Sequence, residues 1–266
     1  MSEEITSKVP SLLFIEEGAY VAKGKYLTIN VPLSIYGAGR EKTTLVEFGL
    51  KINGWKTSGI VEIGDLTIKG VENDGVYVCN GMNVIMRGVS VEECGGCGVS
   101  ASNRGEITCE DLQVIGCGCN GVSASSNGTI TLSGEGTSIQ RNGTKGDDHY
   151  YGLYAQPSFG LNTYSSSSSI HLVHPLTKEQ ISTNNDGGGN WGDHGTIEEV
   201  TREQAASEQA AKEAARPRRE VVREAAKLIF QRYQEGGGLQ GNKKKLFRQL
   251  FTILLIPFFE RTYLVT

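Results

Sequence analysis

The tightest constraint on this chain is a 23-residue step. Gly75-Val76-Tyr77-Val78 recurs at that step as Gly98-Val99-Ser100-Ala101 and again as Gly121-Val122-Ser123-Ala124. A fourth copy, Gly152-Leu153-Tyr154-Ala155, follows after an insertion of eight residues. Other positions keep the same step. Val61, Val84, Ile107 and Ile130 form one apolar series, and Ile63, Met86, Cys109 and Leu132 the next. Leu66, Val89 and Leu112 form a third, and Ile68, Val91 and Val114 a fourth. Paired series lie two residues apart, the spacing of a strand whose side chains alternate in and out.

Three short strands per repeat, separated by Gly or Asn, make one coil of a solenoid. A single coil cannot bury its own inward face, whereas stacked coils bury it for one another. Glycine at 35 residues against 6 prolines fits many strands joined by tight turns. The expected fold is therefore an all-β solenoid, a right-handed single-stranded parallel β-helix, with a C-terminal α-helical extension. The right hand follows from the general chirality of parallel crossovers. Asn80 and Asn103 occupy one turn position in successive coils, where Asn tolerates a left-handed backbone and stacked amides can bond along the axis. Cys94 and Cys117 are likewise one coil apart.

Charge is unevenly spread. Residues 1–195 hold 13 Lys+Arg against 21 Asp+Glu, residues 196–235 hold 8 of each, and residues 236–266 hold 5 against 1. An acidic body argues against nucleic acid as its ligand, because phosphate binding needs a basic face. Met1-Ser2-Glu3-Glu4-Ile5 does not open a signal peptide, and Ile253–Phe259 is too short to span a bilayer. The expected location is the cytoplasm, with the six cysteines as thiols. Asn127-Gly-Thr and Asn142-Gly-Thr have the form of glycosylation sequons, which matter only in a secreted chain.

Phe14-Ile15-Glu16-Glu17-Gly18-Ala19-Tyr20, followed by Leu33-Ser34-Ile35-Tyr36-Gly37-Ala38-Gly39, resembles the opening coils of pectate-lyase-like right-handed β-helix proteins. With the repeat, the resemblance covers roughly residues 10–195. It implies the fold. Functionally it implies a wide range, from pectate lyases, polygalacturonases, pectin methylesterases, uronan epimerases and phage tailspikes to modules that bind proteins without catalysis. Catalysis in this superfamily uses residues pointing outward from one sheet on adjacent coils.

The repeat allows those outward rows to be read. From the glycine-led strand come Tyr77, Ser100, Ser123 and Tyr154, then Cys79, Ser102, Ser125 and Gln156. From the second come Glu62, Ile85, Thr108 and Thr131, then Gly64, Arg87, Glu110 and Ser133; from the third come Thr67, Ser90 and Gln113. A lyase would need several carboxylates for Ca²⁺ beside a basic residue, and a hydrolase would need paired carboxylates. Neither pattern is present in these rows. Arg87 over Glu110 reads as a surface ladder pair. Tyr77, Ser100, Ser123 and Tyr154 read as a ligand-binding row, two aromatics flanking a small polar floor. The inserted loop at 143–150 brings Asp147, Asp148 and His149 together, and these are the catalytic candidates if the chain is an enzyme. Polygalacturonases also use aspartates with a histidine, but with Asn-Thr-Asp and Arg-Ile-Lys triplets that this chain lacks. Cys94, Cys97, Cys117 and Cys119 admit a zinc site, set against packing of stacked turn cysteines as small hydrophobes. No cofactor is called for.

From Thr196 the composition turns to Ala, Glu, Arg and Gln. Thr196-Ile-Glu-Glu199 has the form of a capping box opening a helix toward Arg216, with a kink at Pro217 and a second helix over 218–234. The expected division is a β-helix at 1–195, a charged helical extension at 196–235, and a Gly-rich linker with a basic, apolar tail at 236–266. The basic, then apolar 243–259 stretch leaves two roles open, a peripheral membrane contact and docking on the domain itself. Two functional readings stay open: a non-catalytic scaffold binding a carbohydrate or protein along its solvent-facing sheet, and a polysaccharide-active hydrolase, lyase or epimerase working from the Asp147–His149 loop.

Overall fold

The computed structural model describes residues 12–22, 26–54, 59–156, 168–192 and 195–213. Three parallel sheets run along a β-solenoid of about seven turns. Sheet A has eight strands, from Leu12–Ile15 through Ile60–Gly64, Asn83–Arg87, Glu106–Glu110 and Thr129–Ser133 to Ser169–Val173 and Thr196–Val200. Sheet B has seven, including Thr67–Lys69, Ser90–Glu92, Gln113–Ile115 and Ser138–Gln140. Sheet C has the seven glycine-led strands or their equivalents, including Val76–Cys79, Val99–Ala101, Val122–Ala124 and Tyr151–Ala155. The order of strands in each sheet is the order of coils along the chain, and every pairing is parallel.

The register is the one that the 23-residue step dictates. Val61, Val84, Ile107 and Ile130 pair in succession, and the row continues to Ile170. Ile63, Met86, Cys109, Leu132 and Leu172 form the parallel row two residues on. All of these side chains are 1% exposed or less. Each buried Val, Leu or Ile contributes about 1.5–3 kcal/mol, and no coil could gain it without a neighbour above and below.

Two geometric demands explain the punctuation between strands. Each turn needs at least one residue in the left-handed region, and the turns after sheet C use two, as at Asn80-Gly81 and Asn103-Arg104. Asp65, Gly88, Asp111 and Gly134 supply it between sheets A and B, with φ from 53 to 87°. Asn80 and Asn103 supply it after sheet C, at φ 59 and 49°. Their amides bond along the axis as expected: Asn80 Nδ2 donates to Asn53 Oδ1 at 2.7 Å, and Asn103 Nδ2 donates to Asn80 Oδ1. The second demand is close approach. A Cβ on Gly98 would lie 2.2 Å from the Val114 side chain and 2.7 Å from the Gly121 carbonyl oxygen, so the strand entering sheet C must begin with glycine. That contact is the physical origin of the Gly-Val signature.

Two expectations are corrected. The eight additional residues are not all in the loop at 143–150. Sheet B pairs Gln113 with Ser138, placing two of them in the Gly134–Thr137 turn and leaving six for the loop. Thr196–Val200 is also not the start of a helix. It is the last strand of sheet A, with Ile197 beside Ile170. The helix there, Arg202–Glu213, opens on Thr201, whose hydroxyl accepts from Gln204 N–H while Gln204 Oε1 accepts from Thr201 N–H. A capping box needs only two polar residues three apart; here the inward demand for Ile197 overrides the first such pair, and the second is used. A four-residue helix, Lys178–Ile181, precedes Ser182. The expected features at Pro217, 218–234 and 243–259 lie outside the described residues. No helix among the described residues is long and apolar enough to cross a membrane.

Candidate functional site

The outward row of sheet C is built as the repeat specifies. Lys51, Tyr77, Ser100, Ser123 and Tyr154 are direct register partners on consecutive strands. Alternation fixes their direction, since Val76, Val78, Val99, Ala101, Val122 and Ala124 on either side are fully buried. Tyr77 and Tyr154 are half-buried, three strand spacings or ~14 Å apart. Ser100 and Ser123 between them are 7% exposed, a low floor between two rings. The Lys51 ammonium stands 5.7 Å from the Tyr77 ring centre. Tyr151 stacks on Tyr154, with centroids 5.7 Å apart and planes within 7°. Burial is the largest cause raising both phenol pKa values, so both hydroxyls remain protonated donors at neutral pH. In the second row Ser102 hydrogen-bonds the Tyr77 hydroxyl, and burial pushes the Cys79 thiol up.

The row opens at the Tyr77 end onto a depression of about 350 Å³ lined by Tyr26, Lys51, Glu72, Asn73, Asp74, Tyr77, Gly95, Gly96 and Lys145. Tyr26 accepts the Asp74 N–H at 3.1 Å, and Asp74 Oδ1 accepts the Cys97 N–H at 2.8 Å. Burial raises the Asp74 carboxyl, against the lowering effects of that N–H and of Lys145. Burial and the neighbouring Asp74 push Tyr26 up to about 12.

Sheet A carries a second concavity, of about 330 Å³, between its outward face and the helix at Arg202. Thr108, Thr131 and His171 lie on one row of its floor, and Glu110 and Ser133 on the next. His171 Nε2 is 3.2 Å from Glu198 Oε1, and Arg87 Nε is 3.3 Å from Glu110 Oε2. Each of these carboxylates is thus already paired with a basic group. Further toward the N-terminus the face closes. Ile85 is buried, and Glu62 accepts the Tyr36 hydroxyl at 2.8 Å while the Tyr36 ring lies against Gly64. On sheet B, Thr67 and Ser90 are also buried, bonded to Arg40 O and Glu92 Oε1, so that row is not an open surface.

Asp147, Asp148 and His149 are exposed in the inserted loop, which joins sheet B to sheet C. The loop is held by a local bond and by the next coil: Asp147 Oδ1 accepts the His149 N–H at 2.9 Å, and Gly188 N–H donates to Tyr150 O at 2.7 Å. The structure therefore does not bring these three residues over the Arg87–Glu110 row of sheet A.

The four turn cysteines divide into two pairs. Cys94 and Cys117 stack inside the core at 2% and 0% exposure. Cys97 and Cys119 are half-buried, on the outer side of the same turn. Among the described residues no group of three or more His, Cys, Asp or Glu is placed to hold a metal ion, so the four-thiolate arrangement is not assembled. All six cysteines are free. The next members of the inner turn row are Asn142 and Asn185. Asn142 is 0% exposed, which removes its sequon from the surface.

Sequence reasoning missed Lys51, Tyr151, His171, Glu198, Tyr26 and Lys145. His171 was the most accessible of these, because Ile170-His171-Leu172 repeats the alternation of Ile130-Thr131-Leu132. Lys145 lies in the inserted loop and carries no such signal. Tyr26 opens the first strand of sheet C opposite Gly49, so it stands where later coils carry glycine and the repeat does not mark it.

Comparison with protein families, with curated proteins and with solved structures finds no match to this chain. The fold itself defines the class, a parallel β-solenoid.

Proposed function

We propose that this chain is a non-catalytic member of the pectate-lyase-like β-helices that binds an extended carbohydrate along the outward face of sheet C. One observation carries the reading: Tyr77 and Tyr154 stand in register at the two ends of a serine floor, and the Tyr77 end opens into a depression. Aromatic faces supply most of the contact energy of such sites at low entropic cost, and hydroxyls between them suit a hydroxyl-rich ligand. The superfamily assignment is supported by the opening motif Phe14–Tyr20 and by the three-sheet coil. The non-catalytic assignment is supported by the pairing of Glu110 with Arg87 and Glu198 with His171, and by the self-bonded Asp147–His149 loop.

The test is an oligosaccharide and polyuronide array with a peptide array beside it, each hit followed by calorimetry and by reducing-sugar and unsaturated-product assays. The expected result is glycan binding without turnover. Tyr77→Ala with Tyr154→Ala weakens it by about 30-fold or more, from about 1 kcal/mol per ring. Asp147→Asn with Asp148→Asn leaves it unchanged. Peptide hits alone would replace the ligand class, and turnover lost in the aspartate double variant would overturn the non-catalytic reading.

A further inference from the structure

The inserted loop has chemistry at its two ends rather than at its tip. Lys145 Nζ lies 3.8 Å from Cys119 Sγ, and the Tyr150 hydroxyl hydrogen-bonds the same sulfur. Cys119 sits one coil above Cys97. Its N–H donates to Gly96 O at 3.0 Å, and its thiol faces the Cys97 thiol closely enough to exchange a hydrogen bond. The residue stacked directly on Cys97 is Asn120, so Cys119 lies one position off that register. A coil spacing of about 4.8 Å with a rise of about 3.3 Å gives a diagonal Cα separation of roughly 6 Å, still within the range a disulfide spans. The Asn120 amide points at Cys97 Sγ from the coil above, at 3.9 Å.

These contacts set the two sulfurs apart. The Cys97 hydrogen bond, the Tyr150 hydroxyl and the Lys145 charge lower the Cys119 thiol to about 6, against burial and the Asp74 carboxylate. Cys97 is pushed well up, by its bond to Cys119 first and by burial and Asp74 next. The other cysteines do not share this setting. Burial alone raises Cys109, and Cys94 and Cys117 are sealed in the core. A thiolate beside a cation, partly exposed and with a second thiol in reach, is the arrangement of thiol–disulfide exchange.

We propose that Cys97 and Cys119 form a reversible disulfide by exchange with a small-molecule disulfide, Cys119 attacking and Cys97 resolving. The Cys119 thiolate displaces one thiolate from the reagent and forms a mixed disulfide. Cys97 then loses its proton and attacks the Cys119 sulfur, releasing the second reagent thiolate. In sum the dithiol gives two electrons and two protons to one disulfide, which leaves as two thiols.

The experiment incubates the reduced full chain in oxidised and reduced glutathione, quenches with acid, alkylates and maps the peptides by mass. The expected product is a Cys97–Cys119 crosslink, formed before any other disulfide, while Cys94 and Cys117 alkylate only after unfolding. Cys97→Ser traps glutathione on Cys119, and Cys119→Ser leaves Cys97 a free thiol. Circular dichroism of each variant checks that the solenoid is intact. Lys145→Ala slows alkylation of Cys119 near neutral pH and restores the wild-type rate under alkaline conditions, a pH signature that a packing defect does not give. A Cys119 that alkylates no faster than a thiol in the unfolded chain would overturn the proposal. So would wild type that stops at the mixed disulfide, or Cys97 oxidation that persists in Cys119→Ser.

Discussion

Asn142 offers the sharpest test of how the coils are joined. It is fully buried, and its side chain serves three partners: Oδ1 accepts the Cys117 N–H at 3.0 Å, and Nδ2 donates to Val114 O at 3.2 Å and to Asn185 Oδ1 at 2.9 Å. Asn142→Ala leaves the Cys117 N–H in the core without an acceptor, at a cost of about 2 kcal/mol. Losing the two donated bonds adds about 0.5 kcal/mol each, giving about 3 kcal/mol in all. For a domain of this size the melting temperature should fall by roughly 6–12 °C. The same position one coil below holds Cys117, whose sulfur accepts the Cys94 N–H. Asn142→Cys therefore keeps an acceptor and should lose only about half as much. Urea unfolding followed by circular dichroism, with thermal melts alongside, measures both variants. An Asn142→Ala protein within about 1 kcal/mol of wild type would refute the reasoning. So would a cysteine variant as damaged as the alanine one.

Ile107→Asp puts an unpaired carboxylate between Val84 and Ile130 and should abolish soluble expression, whereas Thr108→Asp, one residue on and facing out, should express and melt near wild type; equal behaviour would mean the register is wrong. Arg87→Ala breaks an ion pair whose side chains are 25% and 56% exposed, and should shift stability by less than about 1 kcal/mol in urea titrations. Asp74 has a raised pKa in the folded chain, so its contribution to stability is present below the ordinary aspartate value and is lost as pH rises through the folded value. Asp74→Asn removes that loss. Its stability relative to wild type should rise with pH through this window, and a difference flat in pH would contradict the burial argument.

The coil was legible because its constraints repeat. Val61, Val84, Ile107 and Ile130 face the same pressure four times, and Gly75, Gly98 and Gly121 meet the same close approach. Tyr77 and Tyr154 could be placed on one row for the same reason. Where the step breaks, the reading broke with it. His171 and Glu198 lie on strands that do not follow at the 23-residue step, and Lys145 belongs to a loop without a counterpart in other coils. The false helix start at Thr196 came from a local polar pattern that ignores the demand of the coil beneath it. Cover was illegible too: Ser90 and Thr67 alternate as outward residues should, yet Glu92 folds back over Ser90 from the same strand and the Arg40 carbonyl reaches Thr67 from an earlier coil.

The stacking of equal coils also makes the tyrosine row a ruler. The distance between Tyr77 and Tyr154 is a whole number of strand spacings, fixed by the two coils that carry Ser100 and Ser123. Deleting one 23-residue coil, such as 98–120, would bring the rings closer by about 4.8 Å and leave every remaining residue on its own row. Adding a copy would part them by the same amount. On the proposed carbohydrate-binding reading, the length of ligand that the surface would measure is set in discrete increments, and duplication of a single coil would retune it without redesigning a single contact.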